Sequence, residues 1–489
     1  MLFNSIDFAI FLPIVFLLYW FATKGNYKFQ NILLLCASYF FYGCWDWRFL
    51  FLLVFSTLLD YFTGIMMVQS GSATSSRAPT RRDERMKKFW FWLSVGVNLG
   101  FLGVFKYYNF FATSFAEGLS QIGIQSNFWT LQVILPVGIS FYTFHGLSYV
   151  IDIYYNRIKP ERNFIDYSLF VSFFPLLVAG PIERATHLLP QIKKQRTFDY
   201  DKAVDGLRQI LWGLFKKIVI ADNCATYAND IFNNYQTQSG STLLLGAIFF
   251  SFQIYGDFSG YSDIALGTAR LFGIELLRNF AFPYFSRDIA EFWRRWHISL
   301  TTWFRDYLYI PLGGSRGGKW QAIRNTFIIF LVSGFWHGAN WTFLAWGAFH
   351  ALLFMPLLLL QRNRKNTNTV AEGKMLPNVK EVFQMGTTFL LVVIGWIFFR
   401  ADTIHQAVHY FGGMMQFGTL KASYRIFEYK EFWFILILVF IEWIQRNKKH
   451  GLELSGVNSH VVKVGIYYIL VAMIFYYAGA EQQFIYFQF

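Results

Sequence analysis

A single histidine, His337, lies between two apolar runs in the segment Ser333-Gly334-Phe335-Trp336-His337-Gly338-Ala339-Asn340-Trp341. An ionisable side chain at membrane depth is costly, and it therefore indicates a functional site. A neutral imidazole can accept a proton from a hydroxyl that attacks an acyl group, or it can act as the nucleophile and carry the acyl group briefly. Burial favours the neutral ring, which suits both roles. The alternative is an imidazole that only satisfies a neighbouring helix.

The residues beside His337 predict how its ring would be enclosed. Gly334 and Gly338 are four positions apart, so on a helix they share one face and let a second backbone come close. The neighbours expected to wall or orient the ring are Trp336, Trp341, Ser333 and Asn340. Two of them, Trp336 and Asn340, are candidate substrate contacts.

A second histidine, His297, ends the run Phe292-Trp293-Arg294-Arg295-Trp296-His297, within a basic and aromatic stretch over 270–322 that has no clean apolar span. Helices of this composition lie in the membrane interface, here on the cytoplasmic side. Their basic surface would bind either anionic membrane lipids or a phosphate-rich donor. The candidate phosphate contacts are Arg294, Arg295 and Arg305.

A third set of candidates lies in Gln253-Ile254-Tyr255-Gly256-Asp257-Phe258-Ser259-Gly260-Tyr261-Ser262-Asp263. Gly256 and Gly260 predict a close helix contact. Asp257 and Tyr261 are one helical turn apart and can share a partner, and an acid at this depth must be paired or protonated. Both are candidate substrate-binding residues; the alternative is a polar clamp between helices.

The overall composition is that of a polytopic membrane protein. Of the 489 residues, 55% are hydrophobic and 15% are charged, whereas soluble domains carry about a quarter charged residues. The net charge of +14 comes from Lys and Arg in short loops, which favours cytoplasmic anchoring over nucleic-acid binding. The three cysteines, and the spacing of His337 and His350, match neither a disulfide framework nor a zinc site. We therefore expect no metal and no cofactor.

Apolar segments long enough to cross a bilayer recur along the chain, since a span needs about 20 residues. The predicted spans are roughly 6–22, 30–44, 49–68, 89–111, 131–152, 205–228, 242–268, two within 322–360, 384–400, 431–446 and 461–479. The positive-inside rule places the N-terminus outside the cytoplasm, although Lys421, Arg425 and Lys430 then fall on the outer side. The predicted fold class is an all-α polytopic membrane protein with about 11–13 spans. We expect one domain, 1–489, comprising N-terminal spans (1–152), a re-entrant segment (165–182), a catalytic core (205–360) and C-terminal spans (384–489).

Two segments depart from plain spans. The apolar stretch 165–182 has basic residues on both sides and contains Phe174-Pro175 and Ala179-Gly180-Pro181, so we predict a broken, re-entrant segment; a plain span is the alternative. The arm from Ala322 to Trp336 would be about 22 Å long as a helix, short of the hydrocarbon core of about 30 Å. This predicts that His337 lies inside the membrane profile and faces a cavity open to the outside.

Several long motifs resemble the membrane-bound O-acyltransferase family, and more narrowly its branch that O-acetylates alginate and related bacterial polysaccharides. The matching pieces are the Gln253–Asp263 run; Arg278-Asn279-Phe280 with Phe282-Pro283-Tyr284; Glu291 to Leu300; Arg305-Asp306-Tyr307-Leu308-Tyr309-Ile310-Pro311-Leu312-Gly313-Gly314; Gly334-Phe335-Trp336-His337-Gly338; Leu135 to Phe141; and Ala179-Gly180-Pro181-Ile182. The resemblance covers nearly the whole chain.

The resemblance implies that His337 is the catalytic histidine and His297 a second one on the cytoplasmic side. It implies a helical floor between an outer and an inner funnel, in the inner membrane of a bacterial cell. The donor would be a cytoplasmic thioester, with acetyl-CoA expected. An extracytoplasmic SGNH-hydrolase-like acetyltransferase would complete transfer to a polysaccharide. A related activity, D-alanyl transfer to teichoic acid from an acylated carrier protein, is the alternative within the class.

Two other classes of protein compete on residues alone. A transporter or flippase for a donor or glycan would usually show internal repeats and paired broken helices, and here one broken segment stands alone. A structural scaffold would tolerate changes at both His337 and His297. The acceptor and the existence of an acetyl-histidine intermediate are left open.

Overall fold

The computed structural model describes residues 1–70, 80–125, 135–178, 180–416, 429–479 and 482–485. In these ranges the chain is helical and contains no β-strand. The helices are α1 (Ile6–Leu17), α2 (Tyr27–Ser70), α3 (Arg81–Leu102), α4 (Tyr108–Gln121), α5 (Ile139–Tyr154), α6 (Phe164–Ser172), α7 (Phe174–Leu177), α8 (Ala185–Ile192), α9 (Tyr200–Leu214), α10 (Asp222–Asn233), α11 (Gly240–Leu271), α12 (Ile289–Arg295), α13 (Ile298–Phe304), α14 (Lys319–His337), α15 (Trp341–Leu359), α16 (Val379–Arg400), α17 (Ile404–Met414), α18 (Lys430–Ile444) and α19 (His460–Tyr476).

Helices long and apolar enough to cross a bilayer confirm a multi-pass membrane protein. Within the described residues five runs qualify, namely Tyr27–Gln69, Arg81–Gln121, Gly240–Leu271, Trp341–Leu359 and Val379–Arg400. Shorter apolar helical runs cover Ile6–Ala22 and His460–Tyr476. Each predicted span overlaps one or more helices, but 135–138, 445–446 and 477–479 are not helical, and 131–134 lie outside the described residues. The number of crossings and the orientation stay predictions.

The chain forms two compact units, residues 1–203 with 268–277, and residues 204–267 with 278–489. In the first unit the predicted spans 30–44 and 49–68 are the two halves of α2. The helix kinks at Asp46, whose backbone leaves the helical region (φ −157°, ψ 110°). The Asp46 carboxylate pairs with Arg48 at 2.6 Å, so the kink carries its own ion pair.

The broken segment predicted over 165–182 consists of α6 and α7, which are separated at Phe173 (ψ 116°). His145 of α5 holds both sides of the break. Its Nδ1 donates to the carbonyl of Val171 at 3.4 Å, and its Nε2 accepts from the backbone N–H of Glu183 at 3.0 Å. Backbone groups freed by the break thus find a partner inside the protein, which irregular backbone at membrane depth requires. A re-entrant path stays a prediction, and Ala179 lies outside the described residues.

In the second unit a π-helical stretch, Phe215–Ala221, joins α9 and α10 into one helical run that packs on α11. The close contact predicted at Gly256 and Gly260 is confirmed. A Cβ on Gly260 would lie 2.7 Å from the carbonyl oxygen of Gly213, and one on Gly256 would lie 2.9 Å from that of Lys216. Only glycine allows backbones to approach this closely.

Two sequence-based expectations about the His337 segment were wrong in detail. First, α14 begins at Lys319 and has 19 residues, or about 28 Å, so it is four residues longer than the predicted arm from Ala322 to Trp336. Second, α14 ends at His337, and Gly338 has extended backbone (φ −163°, ψ 150°), so Gly334 and Gly338 do not share a helix face. The glycine opposite Gly334 is Gly347 of α15, and a Cβ on Gly334 would lie 3.5 Å from the Cα of Gly347.

Candidate active site

The ring of His337 is enclosed by aromatic side chains of three helices. It is the last residue of α14 and is 7% exposed. The centroid distances to its ring are 4.8 Å for Trp336, 5.2 Å for Trp346 of α15 and 5.3 Å for Phe399 of α16. Trp341, expected to form a wall, is 54% exposed.

The turn between α14 and α15 places His337 against that wall. Asn340 is the N-cap of α15, with Oδ1 accepting from the backbone N–H of Thr342 at 3.0 Å. Its Nδ2 donates to the carbonyl of Asp402 at 2.9 Å. A Cβ on Gly338 would collide with the ring of Phe343, so the turn needs glycine there. Asn340 therefore positions the turn, and its predicted contact with a substrate stays a prediction.

His297 is held in a strained backbone conformation between α12 and α13. Its φ of 42° is in the left-handed region, which is uncommon for residues other than glycine and clusters at functional sites. The side chain is 1% exposed, and burial lowers its pKa to about 3. Nδ1 lies 3.1 Å from Oδ1 of Asn279, and the ring packs on Phe258 at 4.6 Å. A neutral imidazole of this kind can accept a proton.

The two predicted histidines both contact Trp336. The Trp336 ring centroid lies 4.8 Å from that of His337 and 6.2 Å from that of His297. The sequence placed His337 and His297 in separate motifs; the structure brings both into one buried aromatic cluster, with Trp336 in contact with each. This juxtaposition defines the candidate active site.

The predicted phosphate contacts are bound to protein groups in this structure. Arg294 donates to the carbonyls of Asn363 and Asn366, each at 2.6 Å. Arg295 pairs with Glu291 at 2.9 Å, and Arg305 pairs with Asp306 at 2.7 Å with 59% of its side chain exposed. Their role in donor binding stays a prediction.

Four aromatic residues of the 270–322 stretch are buried, whereas a fifth is exposed. Trp293, Trp296, Trp303 and Tyr307 are each at most 9% exposed, and Trp320 is 84% exposed. Trp296 packs on Trp396 of α16 at 4.9 Å. The four buried rings join the core of the second unit because large apolar area is stabilised by burial. An interfacial position of the stretch stays a prediction.

Asp257 and Tyr261 are buried beside the C-terminal segment 482–485. Asp257 pairs with Lys217 at 2.7 Å and accepts from the backbone N–H of Ile485 at 2.7 Å. Tyr261 packs on Phe484 at 4.7 Å. The arrangement has the geometry of the polar clamp that was the alternative interpretation; substrate binding by this pair stays untested.

Sequence reasoning missed the basic partners of these acids. Lys216 pairs with Asp263 at 2.6 Å, and Lys217 bridges Asp222 and Asp257 at 2.7 Å each. Both lysines are at most 3% exposed. The sequence does indicate these ion pairs, because Lys216 and Lys217 lie inside an apolar run and buried cations need buried anions. Among the described residues no group of three or more His, Cys, Asp or Glu side chains is placed to hold a metal ion.

A multi-pass helical protein with two buried histidines around one tryptophan has the features of an enzyme of acyl transfer in the membrane. The model of the membrane-bound O-acyltransferase family matches residues 155–399. The chain is 41% identical over 426 residues to a probable alginate O-acetylase of Pseudomonas putida, covering 86% of this chain and 82% of that protein. It is 32% identical over 538 residues to a peptidoglycan O-acetyltransferase of Helicobacter pylori, covering 100% and 98%.

A teichoic acid D-alanyltransferase of Bacillus subtilis is more distant, at 27% identity over 284 residues that cover 55% of this chain and 70% of that protein. The chain belongs to the membrane-bound O-acyltransferase family and is an acyltransferase. The family assignment made from the motifs is thereby confirmed.

Proposed function

We propose that this protein takes an acetyl group from a cytoplasmic thioester and passes it across the membrane for O-acetylation of an extracytoplasmic polysaccharide. It would reside in the inner membrane of a bacterial cell, with its N-terminus outside the cytoplasm. The observation that carries the proposal is the contact of both His337 and His297 with Trp336. Two imidazoles in contact with one aromatic side chain suit acyl transfer between compartments.

The chemistry assigns the proton of the acceptor hydroxyl to an imidazole. The hydroxyl oxygen attacks the thioester carbonyl, a carbon–oxygen bond forms and the carbon–sulfur bond breaks. The thiolate leaves and takes up a proton to become the free thiol. His337 acts either as the general base or as a nucleophile that first carries the acetyl group. The surrounding Trp346 and Phe399 exclude water, which limits hydrolysis of the thioester.

Acetyl-CoA is the proposed donor, bound at Arg294, Arg295 and Arg305 through its phosphates. The guanidinium groups of Arg294 now donate to backbone carbonyls of the 361–378 loop, and phosphate oxygens can replace such acceptors with stronger charge-assisted bonds. Donor binding would then displace part of that loop. Arg305 pairs with Asp306, not with that loop, and 59% of its side chain is exposed.

A polysaccharide acceptor is supported by the relatives, whose names specify O-acetylation of alginate and of peptidoglycan. The higher identity to the alginate O-acetylase favours an alginate-like acceptor, whereas the match to the peptidoglycan O-acetyltransferase along the whole chain favours peptidoglycan. The proposal therefore names the acceptor only as a polysaccharide. An SGNH-hydrolase-like acetyltransferase outside the membrane is proposed to complete the transfer, as the family resemblance implies.

The central experiment measures polysaccharide O-acetylation in cells that carry His337→Ala at the wild-type protein level. We expect acetylation to fall to background, because the group that receives the proton or the acetyl is gone. His405→Ala is the matched control, since His405 is exposed on α17, and it should retain full acetylation. Full acetylation with His337→Ala would reject the catalytic role.

Purified protein separates the competing functions. Release of free CoA from acetyl-CoA by the wild type, but not by His337→Ala, would support acetyl transfer. Turnover of a D-alanyl carrier protein in place of acetyl-CoA would favour the D-alanyl transferase alternative. Movement of a donor or glycan across vesicles without cleavage of the thioester would favour a transporter.

A further inference from the structure

Asn279 lies in the loop before α12 and contacts His297 directly. Both side chains are 1% exposed. Oδ1 of Asn279 and Nδ1 of His297 are 3.1 Å apart. A buried hydrogen bond to one ring nitrogen decides which nitrogen of a neutral imidazole carries the proton.

Contacts that do not involve the histidine establish the orientation of the Asn279 amide. The backbone N–H of Ser299 can only donate, and it meets the same amide atom at 3.3 Å, so that atom is the carbonyl oxygen Oδ1. The hydroxyl of Ser299 donates to it at 2.8 Å. Nδ2 then faces the hydroxyl of Ser262 at 3.1 Å. Every contact agrees with one amide orientation.

We propose that Asn279 is the positioning residue that holds His297 as the neutral tautomer with its proton on Nδ1, so that Nε2 carries the lone pair used in acyl transfer. Oδ1 has no proton and can only accept, so Nδ1 must donate. The opposite tautomer would set two lone pairs against each other. The inference rests on the proposed function, in which His297 is the second imidazole of the acyl-transfer site.

Asn279 also fixes the backbone that carries the ring. The backbone carbonyl of Asn279 accepts a hydrogen bond from the backbone N–H of Ile298 at 2.9 Å. Ile298 directly follows His297, whose backbone is in the left-handed region. The strained φ of 42° persists only where neighbouring contacts hold it. One residue thus determines both the position of the imidazole and its proton.

The ring contacts described for His297 are with Phe258 of α11 at 4.6 Å, Phe280 at 6.5 Å and Trp336 of α14 at 6.2 Å. Trp336 also contacts the titratable His337. A carboxylate at position 279 would add a negative charge within hydrogen-bond distance of Nδ1 of His297.

The first test compares the pH dependence of acetyl-CoA turnover in the wild type, Asn279→Asp and Asn279→Ala. An aspartate keeps the acceptor for Ser299 and adds a negative charge beside Nδ1, which stabilises the imidazolium. The acidic limb should move to higher pH by about 1–3 units in Asn279→Asp, with activity recovering at high pH. Asn279→Ala should lose roughly 10²-fold in turnover across the range.

Asn229→Asp is the matched control. Asn229 also uses its Oδ1 as an acceptor, from Arg400 at 3.0 Å, so the same change adds the same charge away from His297. Its pH profile should match the wild type. Profiles of Asn279→Asp that coincide with the wild type, together with full turnover in Asn279→Ala, would overturn the proposal.

A second measurement needs no turnover and therefore separates this inference from the proposed function. Nitrogen-15 NMR of histidine-labelled full-length protein reports the tautomer of each ring, and the His297 signal is the one that changes in Asn279→Asp. We expect the Nδ1–H form at pH 7 in the wild type, and in Asn279→Asp an imidazolium that forms at a pH about 1–3 units higher than in the wild type. An Nε2–H form in the wild type would overturn the proposal, whether or not acetyl-CoA is the donor.

Discussion

Trp336 packs against His337 with ring centroids 4.8 Å apart and planes at 67°. The same indole lies 6.2 Å from the ring of His297, so one side chain contacts both candidate bases. A buried aromatic group there keeps water from a thioester that reaches either histidine. The contact of Trp336 with both histidines therefore favours acetyl transfer over hydrolysis of the thioester.

Trp336→Ala should raise hydrolysis of acetyl-CoA relative to acetyl transfer, because the cavity left by the indole admits water between the histidines. The measurement is the ratio of acetate released to acetyl transferred, and we expect transfer to fall roughly 10- to 100-fold. Trp341→Ala is the control, since that indole is 54% exposed. An unchanged ratio in Trp336→Ala would show that other groups exclude the water.

Gly347→Ala should destabilise the α14–α15 hairpin that presents His337. A Cβ on Gly347 would meet the carbonyl of Phe330 in α14, and overpacking of this kind costs about 1–3 kcal/mol. Gly386→Ala in α16 is the control, because no atom lies within 4 Å of its Cβ position. It should be neutral or stabilising by up to about 1 kcal/mol. Thermal unfolding of both variants in one detergent gives the comparison; equal midpoints would contradict the close packing.

The positions of the helices could be predicted from sequence because apolar length alone defines them. The span predicted over 242–268 is α11 (Gly240–Leu271), and that over 384–400 lies within α16 (Val379–Arg400). The close contact at Gly260 also followed from local spacing. These features depend on residues that are neighbours in the chain.

Other parts of the site depend on contacts between distant segments, which spacing does not encode. The wall around His337 includes Trp346 and Phe399, and no local pattern joins them to that histidine. Gly334 and Gly338 do not share a helix face because the helix ends at His337, and the backbone close to Gly334 is that of Phe343 and Gly347. A periodic sequence pattern does not show where a helix ends when contacts between distant segments determine that end.

Lys217→Met should be strongly destabilising, because it leaves two buried carboxylates without their cation. Lys217 lies 2.7 Å from both Asp222 and Asp257, and its side chain is 4% exposed. Removal of one partner of a buried pair costs about 3–5 kcal/mol. The double variant Lys217→Met/Asp257→Asn should recover part of that loss in thermal unfolding.

Lys202→Ala is the matched control for that series. Lys202 is 58% exposed and 3.9 Å from Asp199, and exposed pairs contribute about 0–1 kcal/mol. A Lys217→Met variant as stable as Lys202→Ala would show that the buried acids are protonated and need no cation.

The ion pair between His187 and Glu183 should make stability depend on pH. The two atoms Nδ1 and Oε2 are 2.8 Å apart one turn along the chain, with Glu183 fully buried. The hydrogen bond and charge of Glu183 raise the pKa of His187 above its ordinary value of 6.5. A raised folded-state pKa means that the stabilisation is fully present below about pH 6.5 and is lost as the pH rises through the folded-state pKa.

The thermal midpoint of the wild type should therefore exceed that of His187→Gln most at pH 5–6 (about one unit below the ordinary pKa), and the two should converge at alkaline pH. His405→Gln, at an exposed position, should show no such trend, and a difference that grew with pH at position 187 would contradict the raised pKa.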